Sequence, residues 1–434
     1  GRHLAHGAVS FDAGGNLADV AKGVAVLEDG RILLAGTVAN GSVTTAALVR
    51  LLPSGNTDPT FGGGTGKVVN PCSLFVASSA SAVDLLPDGR ILLAGSLLYG
   101  GSGDFLVWRL LPDGSCDVSF GQFGTRVIAF DLGGANLDEV TALRVDPVDE
   151  TIVVVGAVGY SGFDIDFGVA RLMPNGDLDT TFSGDGKATI AIDFAGADPD
   201  LAHAVAIDRL GRILVGGAAW DRSGGSYEFA LVRLLADGSA DASFGSSGVL
   251  AWGYNAGGSN NELIYGVAIW PDGEIVAAGS LASGPAGQEW VVLRIGPNGI
   301  PVIGVTHGSF GGGAAAANAV FLQGDGKILI AGFGMVNGGF DFGIARLLRN
   351  GTLDPVFGFG WGFTSFDFNW GAGTDVDGAN AVALDRDGRI VAAGFAEYNE
   401  PDTDFAWARF ESSYIFADGF DWPGGSSRWS GVTP

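Results

Sequence analysis

The sequence predicts an all-β fold, a seven-bladed β-propeller of four-stranded antiparallel blades. Three observations carry the prediction. A short pattern, best seen as LPDGRILLAG at residues 86–95, recurs with copies ending at Gly36, Gly156, Gly217, Gly279, Gly332 and Gly394, spaced 53 to 62 residues apart. Apolar residues alternate with period two throughout, and helical periodicity is absent. Each repeat also holds about four such runs, the content of one propeller blade. A β-solenoid is the rival fold, but its repeats are usually shorter and lack paired hairpin turns.

Within a repeat, an alternating run such as AVDLL leads into an Asp-Gly turn and then a run such as RILLAG. Asp-Gly between two such runs is a strong hairpin signal, because glycine supplies the positive φ that the turn needs. A third run carries Arg near its end, as in DFLVWRLL at residues 104–111. An Asp-x-x-Phe element follows, and a fourth run such as TRVIAFD closes the unit.

In order, repeats start near residues 20, 79, 139, 201, 263, 316 and 378. Residues 4–12 read as a fourth strand without a repeat, and the seventh repeat stops after its third run. The N-terminal strand is therefore expected to complete the last blade beside Phe405 and Phe410, with Val9 and Phe11 on one face. Donation of that strand to a second molecule would instead build a filament. The propeller is assigned to residues 1–414 and a C-terminal tail to 415–434.

The patterns AVxLxPDGRILLAG and DFxVxRLLPDGSxDxSFG, fullest at residues 82–121, resemble the delta-60 repeat of bacterial secreted and surface proteins. The resemblance covers roughly residues 20 to 411 and implies a propeller-like array without assigned chemistry. The tail, IFADGFDWPGGSSRWSGVTP, resembles short C-terminal tails of the form DGFExG followed by Trp-Ser on some secreted bacterial proteins. It reads as a segment packed on the last blade or as a sorting or assembly signal.

Composition limits the partners. The formal net charge is −25, which disfavours nucleic acid and anionic membranes. No apolar run is long enough to span a membrane, and the start at Gly1 without Met reads as a processed or trimmed end. Cys72 and Cys116 are placed at opposite ends of strands, roughly 15–20 Å apart. Both are therefore expected to be free thiols.

Two constellations recur. Arg and Asp lie eight residues apart at Arg50 and Asp58, Arg109 and Asp117, Arg171 and Asp179, Arg233 and Asp241, and Arg346 and Asp354. A feature repeated in every blade reads as structural, so each pair is expected to clasp the turn between third and fourth strands. The fifth repeat departs, with Arg294 but Val302. The second constellation precedes the innermost strands. Lys22, Ser81, Thr141, His203, Tyr265, Asn318 and Asn380 should ring one mouth of the central channel. Three residues earlier stand Asp19, Asp138, Asp200, Glu262 and Asp377, with Ser78 and Ala315 in the other two repeats. These carboxylates read either as caps on backbone N–H groups or, with His203 and Tyr265, as a site for Ca²⁺ or a polar ligand. No other cofactor is expected.

No GxSxG, HExxH or CxxC motif is present. The chain is expected not to be an enzyme. It reads as an extracellular or cell-surface structural or scaffold protein that self-assembles into homo-oligomers or filaments. The alternative is a module that takes a cation or a glycan at the channel mouth.

Overall fold

The computed structural model describes residues 3–11, 18–40, 43–75, 77–99, 102–133, 138–159, 164–192, 198–254, 261–283, 287–368, 376–399 and 402–411. They form seven four-stranded antiparallel sheets, and in six of these blades the strands pair in sequence order from the channel outward. Blade one comprises Val20–Val26, Ile32–Asn40, Val43–Leu51 and Lys67–Val69. The innermost strands of blades two to seven are Ala82–Leu85, Glu139–Val145, Asp200–Ile207, Glu262–Ile269, Ala315–Leu322 and Gly378–Leu384.

Blade seven is completed from the other end of the chain. His3–Val9 pairs antiparallel with Asp402–Phe410, with Val9 opposite Phe405 and His3 opposite Phe410. Phe11 meets Phe405 with ring centroids 4.8 Å apart, and Val9 and Phe11 belong to one apolar cluster with Trp407. Closure is within one molecule. The strand is shorter than residues 4–12, and Asp12 lies outside the described residues.

The core lies between blades, because each sheet can bury its two faces only against its neighbours. Val153, Val155 and Val169 of blade three pack with Val205, Val215 and Val232 of blade four, all fully or nearly fully buried. All of the in-blade Asp-Gly turns and the turns between third and fourth strands lie on one face, the turn face. The blade-to-blade links lie on the other, the link face.

One expectation is overturned: Cys72 and Cys116 form a disulfide, with Cα atoms 5.2 Å apart. The expected separation assumed a full-length fourth strand in blade one that carried Cys72 to the link face. That strand is only Lys67–Val69. Asn70, Cys72 and Ser73 then adopt positive φ in a tight turn at Pro71–Ser73, so the chain folds back before it crosses the blade. Cys72 thereby stays beside the turn of blade two that holds Cys116 and Gly124.

Candidate functional site

The recurring glycine and the channel-mouth ring have one cause. In six blades the register of the first strand slips by one residue at the ring position, for example between Ala21 and Gly23 and between Ala202 and Ala204. These are β-bulges, which leave one residue unpaired and re-aim its side chain. The bulged residues are Lys22, Thr141, His203, Tyr265, Asn318 and Asn380. The glycine that ends each LLAG-type run faces the bulge. A Cβ at Gly36, Gly156 or Gly279 would collide with the carbonyl of Val20, Glu139 or Leu263.

The bulged side chains and Ser81 form a polar collar around a cavity of about 500 Å³ at the link-face end of the channel. Below the collar, Val24, Val83, Leu143, Val205, Val267, Val320 and Val382 form an apolar belt. Three collar members clip neighbouring blades together. Thr141 Oγ1 donates to the Ala202 carbonyl, Asn318 Nδ2 to that of Ala379, and Asn380 Nδ2 to that of Ala21, each at 2.9 Å. The rings of His203 and Tyr265 meet at 5.2 Å. Burial lowers the His203 pKa to about 4, so the imidazole is neutral, and burial raises that of the Tyr265 phenol. Ser81 Oγ and His203 Nε2 are buried and make no hydrogen bond within the protein. Lys22 is exposed in the cavity wall, and Glu139 and Arg144 complete the lining.

The five acids singled out from the sequence do not line this cavity. Asp19, Asp138, Asp200, Glu262 and Asp377 are buried between blades. Asp19 accepts the N–H of Phe11 at 3.1 Å and of Ala39 at 3.2 Å. Asp138 accepts those of Phe130 and Gly159, and Asp377 those of Phe368 and Glu397. Asp200 and Glu262 accept the N–H of Ile192 and Tyr254, each at 2.6 Å. Each acid thus braces the end of one blade's fourth strand, and three of them also hold the second strand of the next blade. Among the described residues, no group of three or more His, Cys, Asp or Glu side chains is placed to hold a metal ion. His203 and Tyr265 do line the cavity.

Burial raises the pKa of Glu262 to about 7, and the neighbouring Glu228 carboxylate adds to the rise. Glu228 is raised as well, by its own burial first.

The five Arg–Asp clasps form as expected, each with an N–O distance of 2.7–2.8 Å. Their fuller role was not legible in the spacing. The Asp also accepts the backbone N–H two residues on, at Thr60, Ser119, Thr181, Ser243 and Val356. The guanidinium lies 4.5–5.0 Å from the Phe of the Asp-x-x-Phe element. In four of these blades it also donates to a carbonyl of the following blade, at Pro112, Pro174, Ala236 or Pro297. In blade five Glu274 takes the place of the missing Asp and pairs with Arg294. In blade seven Asp385 lies 3.7 Å from Arg409.

The sheets and the collared channel define a seven-bladed β-propeller. Five segments, residues 27–61, 86–120, 149–182, 211–244 and 323–357, match the family described as "Domain of unknown function (DUF5122) beta-propeller", so these repeats fit a β-propeller family. No curated protein matches the sequence. Among solved structures, polysaccharide lyase Uly1 is similar at 10% identity and a TM-score of 0.52, over 92% of this chain and 91% of that chain. Sqt1 of Chaetomium thermophilum, bound to the N-terminus of the ribosomal protein L10, is similar at 13% identity and a TM-score of 0.50, over 92% and 98%. A protein of unknown function from Dyadobacter fermentans DSM 18053 is similar at 15% identity and a TM-score of 0.49, over 94% and 98%. At these identities the likeness is one of fold. It still corrects one expectation. The chain was read as a non-enzyme because familiar motifs are missing, yet a lyase uses this fold, so missing motifs do not exclude catalysis.

Proposed function

We propose that this propeller binds a small, hydroxyl-rich ligand such as a sugar in the collared end of its channel. The observation that carries the reading is the pairing of buried polar atoms without a protein partner, Ser81 Oγ and His203 Nε2, with a cavity of about 500 Å³. A sugar presents hydroxyls around its rim and C–H groups on its faces. The collar offers a hydroxyl, a neutral imidazole, a phenol and the Lys22 ammonium, and the valine belt offers apolar contact. Such sites are typically concave, mostly apolar and equipped with a few convergent polar groups. Calorimetric titration with a panel of neutral and acidic mono- and oligosaccharides tests it. Binding that His203→Ala and Lys22→Ala each weaken at least tenfold is expected, and no heat from any sugar at millimolar concentration would overturn it.

A second reading has its own support. Phe123, Phe359 and Trp361 are 71%, 69% and 71% exposed on the turn face, which suits a self-associating scaffold protein. Sedimentation of the purified protein separates the two, because a concentration-independent monomer would remove the scaffold. Placement outside the cell or on its surface, in the manner of delta-60 repeat proteins of bacteria, agrees with the Cys72–Cys116 disulfide and the net charge of −25. Within that reading the tail at 415–434 serves as the sorting signal.

A further inference from the structure

The second strands decide which collar residues are tied up in holding the ring. Where a collar side chain clips its blade to the next, the acceptor is the carbonyl of the residue before the next collar position: Ala202 for Thr141, Ala379 for Asn318 and Ala21 for Asn380. In these three blades the residue after the glycine of the LLAG-type run is Ala157, Phe333 or Phe395, whose side chains cannot hydrogen-bond. Blades one and two carry a hydroxyl there instead. Thr37 Oγ1 accepts the Ala80 N–H at 3.2 Å and donates to the Ala80 carbonyl at 3.4 Å, and Ser96 Oγ accepts the Val140 N–H at 3.0 Å. Ala80 and Val140 directly precede the collar residues Ser81 and Thr141. In these two blades the second strand therefore makes the clip, and the buried backbone group at the junction finds its partner without the collar.

Lys22 and Ser81 are thereby released from structural duty. Ser81 Oγ is buried without a protein partner, and the Lys22 side chain lies in the cavity wall with no carboxylate paired to it among the described residues. The two are neighbours in the collar. Gly23, next to Lys22, packs directly on the strand that follows Ser81, so that a Cβ on Gly23 would lie 3.0 Å from Val83 Cγ1 and 3.2 Å from the Val83 nitrogen. The lining holds one other cation, Arg144, which lies 3.9 Å from Asp84, and one carboxylate, Glu139 of blade three. In a chain of net charge −25, an unpaired ammonium beside an unpaired hydroxyl is a local reversal of sign.

We propose that the channel ligand is an acidic sugar, a hexuronate, and that Lys22 and Ser81 seat its carboxylate. The inference rests on the reading of the collared cavity as a sugar site and names the class of sugar. Lys22 Nζ supplies a charge-assisted hydrogen bond and Ser81 Oγ a second donor to the same carboxylate. The sugar hydroxyls meet the rest of the collar. Glu139 repels a carboxylate at blade three, which turns the acidic end of the ligand toward blades one and two. A neutral sugar would leave the ammonium without a counter-ion. Because Lys22 carries no clip, selectivity and fold are separable at this position, whereas Asn380 serves the fold.

Calorimetric titration of the full chain with glucuronate and galacturonate, with their neutral parents glucose and galactose, and with acetate tests the proposal. One hexuronate should bind at least about tenfold more tightly than its neutral parent and than acetate. Its affinity should fall as NaCl rises from about 50 to about 500 mM, while that of the neutral sugar holds. Lys22→Gln should bring the ratio of acidic to neutral affinity close to one and leave the melting temperature unchanged. Ser81→Ala should weaken the hexuronate severalfold, and Asn380→Ala, which loses a clip, should lower the melting temperature. Sugar binding without preference for the acid, or a preference that survives Lys22→Gln, would overturn this inference and leave the sugar reading standing. Acetate binding as tightly as a hexuronate would overturn it as well, by making the collar a plain anion site. The absence of binding by any of the four sugars would remove both.

Discussion

Glu274 forms an ion pair with Arg294 at a position where Arg31, Arg90, Arg212, Lys327 and Arg389 stand in five other blades. The fifth blade has Val302 in place of the clasp aspartate, and the carboxylate has moved to the neighbouring turn. Two departures from the repeat therefore cancel. Glu274→Arg should leave two guanidinium groups facing each other in a nearly buried site and destabilise the protein by about 3–5 kcal/mol. Adding Val302→Asp should recover much of that loss. Chemical denaturation of the single and double variants measures both.

The disulfide closes a loop with a sequence separation of 44 and ties blade one to blade two. In the chain-entropy account a loop of this size is worth about 4 kcal/mol. Cys72→Ser or Cys116→Ser should lower the melting temperature, and reductant should lower that of the parent protein but not of the variants. Thermal melts with and without reductant check this.

Stability should fall as pH rises from about 4.5 to about 7, through the window set by Glu262. In that range folded Glu262 holds a proton that an ordinary glutamate in the unfolded chain has released. The folded state therefore binds more protons, and stability declines with pH by up to about 1.4 kcal/mol per pH unit. Glu228 has a raised pKa too and acts in the same direction. Glu262→Gln, which stays neutral and keeps an oxygen for the Tyr254 N–H, should flatten the dependence. Denaturation midpoints between pH 4 and pH 8 compare the two proteins.

Removing residues 1–11 should abolish the cooperative fold. The deletion strips the hydrogen-bonding edge of Asp402–Phe410 and exposes Phe405 and Trp407, which are otherwise buried. It also takes away the Phe11 N–H that Asp19 accepts. Each polar group left buried and unpaired costs about 1–3 kcal/mol. The milder Phe11→Ala should lower the melting temperature while leaving the β-sheet circular dichroism unchanged.

The blade count, the strand order within a blade and the ring closure were readable because they rest on local, periodic signals. Asp-Gly marks the hairpins at Gly30, Gly89 and Gly273, all with positive φ. The unmatched run at the N-terminus and the unmatched blade at the C-terminus specify each other. The clasps were readable for the same reason: Arg50 and Asp58 flank one short turn, so eight residues of spacing bring them together.

The site was only half readable. The sequence located the collar positions, His203 and Tyr265 among them, but not the bulges that aim them, since the slip shows only in the pairing with the next strand. It could not separate the two readings of Asp19, Asp138 and Asp377. A carboxylate three residues before a channel-facing side chain has the same sequence whether it points to the channel or to an amide. The tertiary structure decides, because the amides of Phe11, Phe130 and Phe368 come from the preceding blade and arrive only when the ring is assembled. The Cys72–Cys116 bond and the Glu274–Arg294 pair belong to the same class. The first depends on a left-handed turn at Asn70 and the second on two turns brought side by side. Period and turn chemistry act over a few residues and are written in order along the chain, whereas these contacts join segments that only the packing of whole blades makes neighbours.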